Sequence, residues 1–296
     1  MDNKSKRILF FGFGDVGYKC LKYMLDNNYN VVGVFTHDRD PHENDWFQTA
    51  ESLALSRSIP VFKPASLKDP KWAQEVEKLS PDLILSLYYR NRIPESVFSQ
   101  ARLGAYNMHG SYLPSYKGRA PLNWAILNGE NYTGVSLHVL EKDFDTGDIV
   151  ARKKVDISPD DYVGDVQPKV SAAAVEIFAQ TLPKLLDASA ERIKQSRLQG
   201  ESSYFGKRRP EDSRIDFSKS AAQIRNLVRA VSRPFNGAFF DKDGKRYILW
   251  RADVEPSADN SIAGAILENA PERLKVAAKG GVLASRDFQI IDIPQD

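Results

Sequence analysis

An amide, an imidazole and a carboxylate lie within reach of one another along this chain: Asn107-Met108-His109 is followed by the loop Gly110-Ser111-Tyr112-Leu113-Pro114, and later by Asp145-Thr146-Gly147. Each of the three sits just after a short apolar run that reads as a strand, where an open α/β sheet gathers its active site. Asparagine can donate to a developing oxyanion, histidine can move a proton near neutral pH, and aspartate can orient that histidine and stabilise its charged form. Those are the groups acyl chemistry needs. Taken singly, Asn107 could close a turn and His109 could be a hydrogen-bonded core histidine. Together with Asp145 they become candidates for catalysis.

The elements that must position them follow from hydrophobic pattern. Arg7 to Phe11, Tyr29 to Phe35, Leu83 to Leu87 and Ala105 to Met108 are apolar on both faces and predict buried parallel strands. Val16 to Leu25, Trp46 to Ser56 and Pro70 to Leu79 carry helical spacing between them. Such alternation implies an α/β fold with a doubly wound, mostly parallel, Rossmann-like sheet. Gly134 to Leu140 and Ile149 to Ile157 alternate and suggest a hairpin around the Asp145 loop. A long helix is expected over about Pro168 to Ala188, with Pro168 in its first turn. Residues 189 to 206 are polar and turn-rich, as in a linker. After a helix at Ala221 to Val231, the segments Gly237 to Asp241, Arg246 to Trp250, Leu274 to Ala278 and Phe288 to Ile293 read as short antiparallel strands, with a turn at Asp243-Gly244. The expected organisation is a catalytic domain over 1–188, a linker over 189–206, and a small barrel-like, OB-like C-terminal domain over 207–296.

Composition narrows the classes. With 296 residues, 42% apolar and 27% charged, the chain can bury a substantial core. A net charge of +2 argues against a dedicated nucleic-acid binder. The lone Cys20 permits neither an internal disulfide nor a thiolate metal cluster, so a reducing cytoplasmic compartment is expected. No stretch approaches the length of a membrane span, and no membrane partner is expected. His37, His42, His109 and His138 lack ligand spacing, so no metal is required. His138 lies within an alternating strand, which favours a structural role.

Gly12-Phe13-Gly14-Asp15-Val16-Gly17 matches a dinucleotide fingerprint after a strand and before a helix. The acidic residue that should follow the next strand is missing, because that strand ends Phe35-Thr36-His37 and Asp38 falls in a charged loop. The glycines therefore read as a tight turn and a close helix contact. A nicotinamide-binding reductase or a non-catalytic nucleotide sensor is the competing class, and NADH titration would detect either.

The run from Asn107 through Arg119-Ala120-Pro121-Leu122-Asn123-Trp124, with Asn128-Gly129-Glu130 and Thr133-Gly134-Val135 beyond it, resembles the signature of the folate-dependent formyltransferases. The resemblance extends over nearly the whole chain through Phe35-Thr36-His37 with Pro41, Ser80-Pro81-Asp82, Tyr88-Tyr89-Arg90, Thr181-Leu182-Pro183 and Phe205-Gly206-Lys207-Arg208. It is strongest to the branch that formylates UDP-4-amino-4-deoxy-L-arabinose in lipid A modification and polymyxin resistance, where that activity is one half of a bifunctional enzyme. The resemblance implies a formyl group passed from N10-formyltetrahydrofolate to the primary amine of a nucleotide-linked aminosugar. Asn107, His109 and Asp145 then become oxyanion donor, proton carrier and imidazole partner.

For the folate, the resemblance implies contacts from Asn91, Arg92 and Ile93, from Arg119, and from the loop Glu141-Lys142-Asp143-Phe144-Asp145. For the acceptor it implies Ser111, Tyr116 and Asn123 near the sugar, and Lys117 with Lys207-Arg208-Arg209 near the diphosphate. Another UDP- or dTDP-linked 4-amino-4,6-dideoxy sugar fits the same pattern. So does methionyl-tRNA, although residues 206–296 hold sixteen Lys and Arg against thirteen Asp and Glu, a thin excess for holding a tRNA. Whether the chain stands alone or is part of a larger enzyme, and whether it forms a homo-oligomer, are left open by the sequence.

Overall fold

The computed structural model describes residues 3–38, 48–256 and 262–293. Pro41, His42 and the start of the helix expected from Trp46 lie outside the described residues. In chain order the elements are β1 (Ile8–Gly12), α1 (Gly14–Asp26), β2 (Val31–Phe35), α2 (Ala50–Leu55), β3 (Val61–Phe62), α3 (Lys71–Leu79), β4 (Leu83–Leu87), α4 (Glu95–Phe98), β5 (Ala105–His109), β6 (Lys117–Gly118), α5 (Pro121–Leu127), β7 (Tyr132–Val139), β8 (Ile149–Asp156) and α6 (Val163–Leu186). They continue with β9 (Tyr204–Phe205), α7 (Ala221–Val231), β10 (Ala238–Lys242), β11 (Lys245–Glu255), β12 (Ile266–Ala270), β13 (Arg273–Ala278) and β14 (Gly281–Asp292).

Seven strands form one sheet in the order β3-β2-β1-β4-β5-β7-β8. The pairs β2–β3, β1–β2, β1–β4 and β4–β5 are parallel, and β5–β7 is antiparallel. This is the mostly parallel, Rossmann-like sheet the pattern predicts. Ile8, Leu9, Phe10 and Phe11 of β1 and Leu83, Ile84, Leu85 and Leu87 of β4 are fully buried, as central strands covered on both faces must be. Phe35 stacks on Phe11 at 4.5 Å and on Phe62 at 4.7 Å between ring centroids, joining three strands through aromatic contacts.

The chain divides into two compact units: Met1–Gly118 with Gly134–Val155 and Lys169–Tyr204, and Arg119–Thr133 with Asp156–Pro168 and Phe205–Asp296. Residues 189–204, polar enough to read as a linker, belong to the first unit. Their backbone is engaged there: Lys117 N donates to Ser203 O at 2.9 Å, and Ile149 and Ile193 form an antiparallel bridge. Short pairings of this kind leave no hydrophobic period to find.

Two expectations shift. Helix α6 begins at Val163, so Pro168 stands in its second turn. The start is fixed earlier because the Asp165 carboxylate accepts from Tyr162 N at 2.9 Å, and Pro168 forfeits only one amide bond. In the second unit the sheet has five antiparallel strands, order β10-β11-β14-β13-β12. Of these β12 escaped notice, since Ile266–Ala270 carries only intermediate and exposed residues. The Asp243-Gly244 turn is as expected: both residues take positive φ, +49° and +74°, and join β10 to β11. Helix α7 starts at a capping box in which Gln223 N donates to Ser220 Oγ and Ser220 N to Gln223 Oε1. Among the described residues no helix is long and apolar enough to cross a membrane.

The glycine-rich turn is explained by geometry. Gly14 adopts φ +66°, and a Cβ on Gly17 would lie 3.1 Å from the Gly12 carbonyl carbon and 3.3 Å from Leu87 O. Asp38 is engaged by Lys63 Nζ at 2.7 Å. Gly147 is more constrained still, because a Cβ there would fall far inside van der Waals contact distance of the Val139 carbonyl oxygen. Gly147→Ala is expected to cost about 1–3 kcal/mol through overpacking, measured as a lower Tm on thermal unfolding.

Candidate active site

Asn107 and His109 lie within β5 rather than after it, two residues apart, so their side chains leave the same face of the sheet. Asp145 reaches them from the loop that joins the neighbouring strands β7 and β8, whose mouth is closed by Val139 N donating to Asp148 O at 2.9 Å. All three meet in the first unit. Asp145 Oδ1 lies 3.5 Å from His109 Nδ1 and 3.5 Å from Asn107 Nδ2, while Oδ2 accepts from Gly118 N at 2.9 Å. His109 and Asp145 are 7% and 9% exposed, dry enough for charge to matter. Asp145 sits at φ +56° and Tyr116 at φ +59°, left-handed backbone for side-chain-bearing residues, and such strain concentrates at functional sites.

The tautomer of His109 follows from its partners. Nε2 lies 2.8 Å from Tyr116 O, and a carbonyl only accepts, so Nε2 carries the hydrogen and the neutral ring keeps its lone pair on Nδ1. Burial pushes the imidazole below its ordinary value of 6.5, against the raising influence of Asp145 and of the Tyr116 carbonyl. The sequence suggests the opposite net shift, because the effect of Asp145 is visible there and the depth of burial is not. For Asp145, burial alone would raise the carboxyl. His109, His138 and the Gly118 amide outweigh it and hold the group well below the usual carboxylate range.

The loop between His109 and β6 is locked so that Tyr116 O stays in place. Ser136 Oγ donates to Ser111 O at 2.8 Å and accepts from Leu113 N at 3.0 Å. Ser111 Oγ donates to Ser115 O, Tyr116 N to Ser203 Oγ, and Arg152 to Leu113 O. Ser111, expected near the sugar, is fully buried and its hydroxyl is spent inside the loop. Lys117 is half-buried. Gln195 Nε2 donates to both Asp145 O and Gly147 O, at 2.8 and 2.9 Å, and so ties down the loop that carries the carboxylate.

Two of the segments expected at the folate come together. Arg92 donates to Lys142 O at 2.5 Å and its guanidinium lies over the Phe144 ring at 5.4 Å, linking the segment after β4 to the Glu141–Asp145 loop. Phe144 is half exposed, Ile93 is buried, and Asn91 Nδ2 donates to Ala65 O. The remaining expected residues belong to the second unit. There Asn123 Nδ2 donates to Ala230 O at 2.7 Å, Arg208 donates to Asp212 O and packs over Trp124, and Arg209 N donates to Asp212 Oδ2. Arg119 N donates to Phe205 O, and Lys207 is exposed. Among the described residues no group of three or more His, Cys, Asp or Glu side chains is arranged to hold a metal ion.

Two further residues meet at this site: Ser86, which the sequence does not single out, and His138, which its alternating strand reads as structural. His138 Nε2 lies 3.1 Å from Asn107 Nδ2 and 3.4 Å from Asp145 Oδ1, and Ser86 Oγ donates to Asn107 Oδ1 at 2.7 Å. Strand order is the signal that would have found them.

Comparison with known proteins shows the family. Residues 6–182 match the family model described as formyl transferase, and residues 207–292 match formyl transferase, C-terminal domain. The fold is similar to that of an N-formyltransferase from Helicobacter canadensis in complex with folinic acid and dTDP-3-aminofucose, at 21% identity and TM-score 0.73 over 95% of this chain and 98% of that one. It is similar to WlaRD, a sugar 3N-formyl transferase crystallised with dTDP and 5-N-formyl-THF, at 20% identity and TM-score 0.71 over 95% and 97%. A 4-N formyltransferase from Francisella tularensis shares it at 21% identity and TM-score 0.63 over 81% and 94%.

Proposed function

The chain belongs to the formyl transferase family, and from that premise we propose that it transfers a formyl group from N10-formyltetrahydrofolate to the primary amine of a nucleotide-linked aminosugar. The observation that carries the proposal is the convergence of Asn107, His109 and Asp145 within hydrogen-bond reach at the end of β5. The reduced folate, when bound, supplies the activated one-carbon group. The exposed Phe144 ring and the backbone of Asn91–Ile93 and Glu141–Asp145, joined through Arg92, fit a planar ring with a donor-and-acceptor edge.

Asn107 Nδ2 donates to the negative charge that grows on the formyl oxygen as the amine adds. His109 Nδ1, the ring nitrogen with the free lone pair, takes the proton that the new C–N bond makes acidic. It returns that proton to the departing folate nitrogen as the old C–N bond breaks. Asp145 stabilises the imidazolium in between. Tyr116 and Lys117 are proposed to meet the acceptor in the first unit. In the second unit Lys207 and Arg209 are proposed as diphosphate ligands, whereas the side chains of Asn123 and Arg208 are engaged by internal partners. The proposed functional division is a catalytic portion over 1–188 whose loops are tethered by 189–206, and a small C-terminal portion over 207–296; the proposed compartment is the cytoplasm.

The relatives seen with dTDP or a dTDP-linked aminosugar favour a dTDP-linked amino-deoxysugar as acceptor. UDP-4-amino-4-deoxy-L-arabinose is the second reading, supported by the Arg119–Trp124 run. Incubation with the formyl donor and a panel of dTDP- and UDP-linked aminosugars should give, by mass spectrometry, one product in which a formyl group replaces an amine hydrogen. Formylation of initiator methionyl-tRNA, with none of any aminosugar, would overturn the proposal. Because burial lowers the pKa of His109, the neutral base persists at pH 7, and the acid limb of kcat/KM is expected below pH 6.5, with activity lost as pH falls through it.

A further inference from the structure

Resting on the function just proposed, we infer that Ser86 and His138 are positioning residues that fix the Asn107 amide in the one orientation that leaves a hydrogen for the oxyanion. The three residues form a single row across the sheet: Ser86 pairs with Asn107 in the parallel β4–β5 register, and Asn107 pairs with His138 in the antiparallel β5–β7 register. Directly opposed residues on one face bring their side chains into contact. The contacts are there, at 2.7 Å from Ser86 Oγ to Asn107 Oδ1 and 3.1 Å between Asn107 Nδ2 and His138 Nε2.

The chemistry of the partners settles donors and acceptors. His138 Nδ1 lies 2.7 Å from Val139 O, and a carbonyl only accepts, so Nδ1 bears a hydrogen and Nε2 is the ring nitrogen left to accept from the Asn107 amide. Nε2 therefore takes one Nδ2 hydrogen of Asn107, and the Ser86 hydroxyl donates to the opposite end, Oδ1. An inverted amide would set its oxygen against an acceptor nitrogen. The second Nδ2 hydrogen has only a long 3.5 Å contact, to Asp145 Oδ1, and stays available to a developing oxyanion. Ser86 and His138 are 3% and 2% exposed, so no water replaces either partner.

The test uses the full chain with three variants: Ser86→Ala, His138→Leu and His138→Gln, the last of which restores an acceptor oxygen near the place of Nε2. Ser86→Ala and His138→Leu should each lower kcat by roughly tenfold to a hundredfold with little change in either KM, since misplacement at a reacting centre acts on the chemical step. His138→Gln should recover most of the loss. In an Asn107→Ala background neither Ser86→Ala nor His138→Leu should cost much more, because both act through the missing amide. The Asn107 side-chain amide signal, assigned by its loss in Asn107→Ala, should show one slowly exchanging proton in the parent and two fast ones in His138→Leu.

Unchanged kcat in both single variants, additive losses with Asn107→Ala, or an amide signal indifferent to His138→Leu would each overturn the inference. If the parent formylates no aminosugar while the amide signal still responds, the proposed function fails and the positioning role stands. The two side chains hold the amide from opposite ends, so if one variant does not fold, the other carries the test.

Discussion

Asp145→Asn is expected to lower kcat by roughly 10²- to 10⁴-fold, the range a positioned acid or base contributes, with the upper end reached where an amide replaces the carboxylate behind a catalytic imidazole. The geometry says why a nearly isosteric change should be so costly. Gly118 N needs an acceptor, so the new side chain keeps its oxygen there and turns its NH2 toward the place of Oδ1. That NH2 faces His109 Nδ1 and donates into the lone pair that has to receive the proton. The negative charge that stabilises the imidazolium is lost as well. Since Asp145 raises the His109 pKa, its removal should move the acid limb of kcat/KM further down, while the kcat plateau falls. A plateau within threefold of the parent would remove Asp145 from the mechanism. Steady-state kinetics from pH 5 to 9 with the preferred aminosugar measures both effects.

Asn107→Ala is expected to lower kcat by about 10²- to 10³-fold, equivalent to about 2.7–4 kcal/mol of lost oxyanion stabilisation, with KM for both substrates little altered. The variant also strips Ser86 and His138 of a buried partner, which costs about 1–3 kcal/mol of stability per group left unsatisfied. A drop in Tm of several degrees should therefore accompany the kinetic loss, at about 2–4 °C per kcal/mol for a protein of this size. An effect confined to KM, with kcat intact, would show that Asn107 binds substrate in the ground state and does not meet the developing charge.

The central sheet was legible in the sequence because Ile8–Phe11, Leu83–Leu87 and Ala105–Met108 are apolar on both faces, a pattern few other environments tolerate. Asn107, His109 and Asp145 stood out because polar groups of those types beside such runs are costly to bury without a purpose. Ser86 and His138 gave no such signal. Each looks like an ordinary member of its own strand, and only the registers β4–β5 and β5–β7 reveal that they flank the same amide. The start of α6 was misplaced because Pro168 prefers a first turn, whereas the Asp165 carboxylate organises the chain earlier. The depth of the His109 pocket, which reverses the net pKa shift, is a tertiary property with no local trace.

Gln195 gives the segment after α6 a mechanical significance. Its amide clasps the Asp145 and Gly147 carbonyls, and Ser203 holds both the Tyr116 and the Lys117 backbone nitrogens. A polypeptide truncated at residue 188 would retain Asn107, His109, Asp145, Ser86 and His138, yet both loops that aim them would lose their far-side tethers. The boundary of a self-sufficient enzyme core therefore lies beyond the last residue that handles a proton.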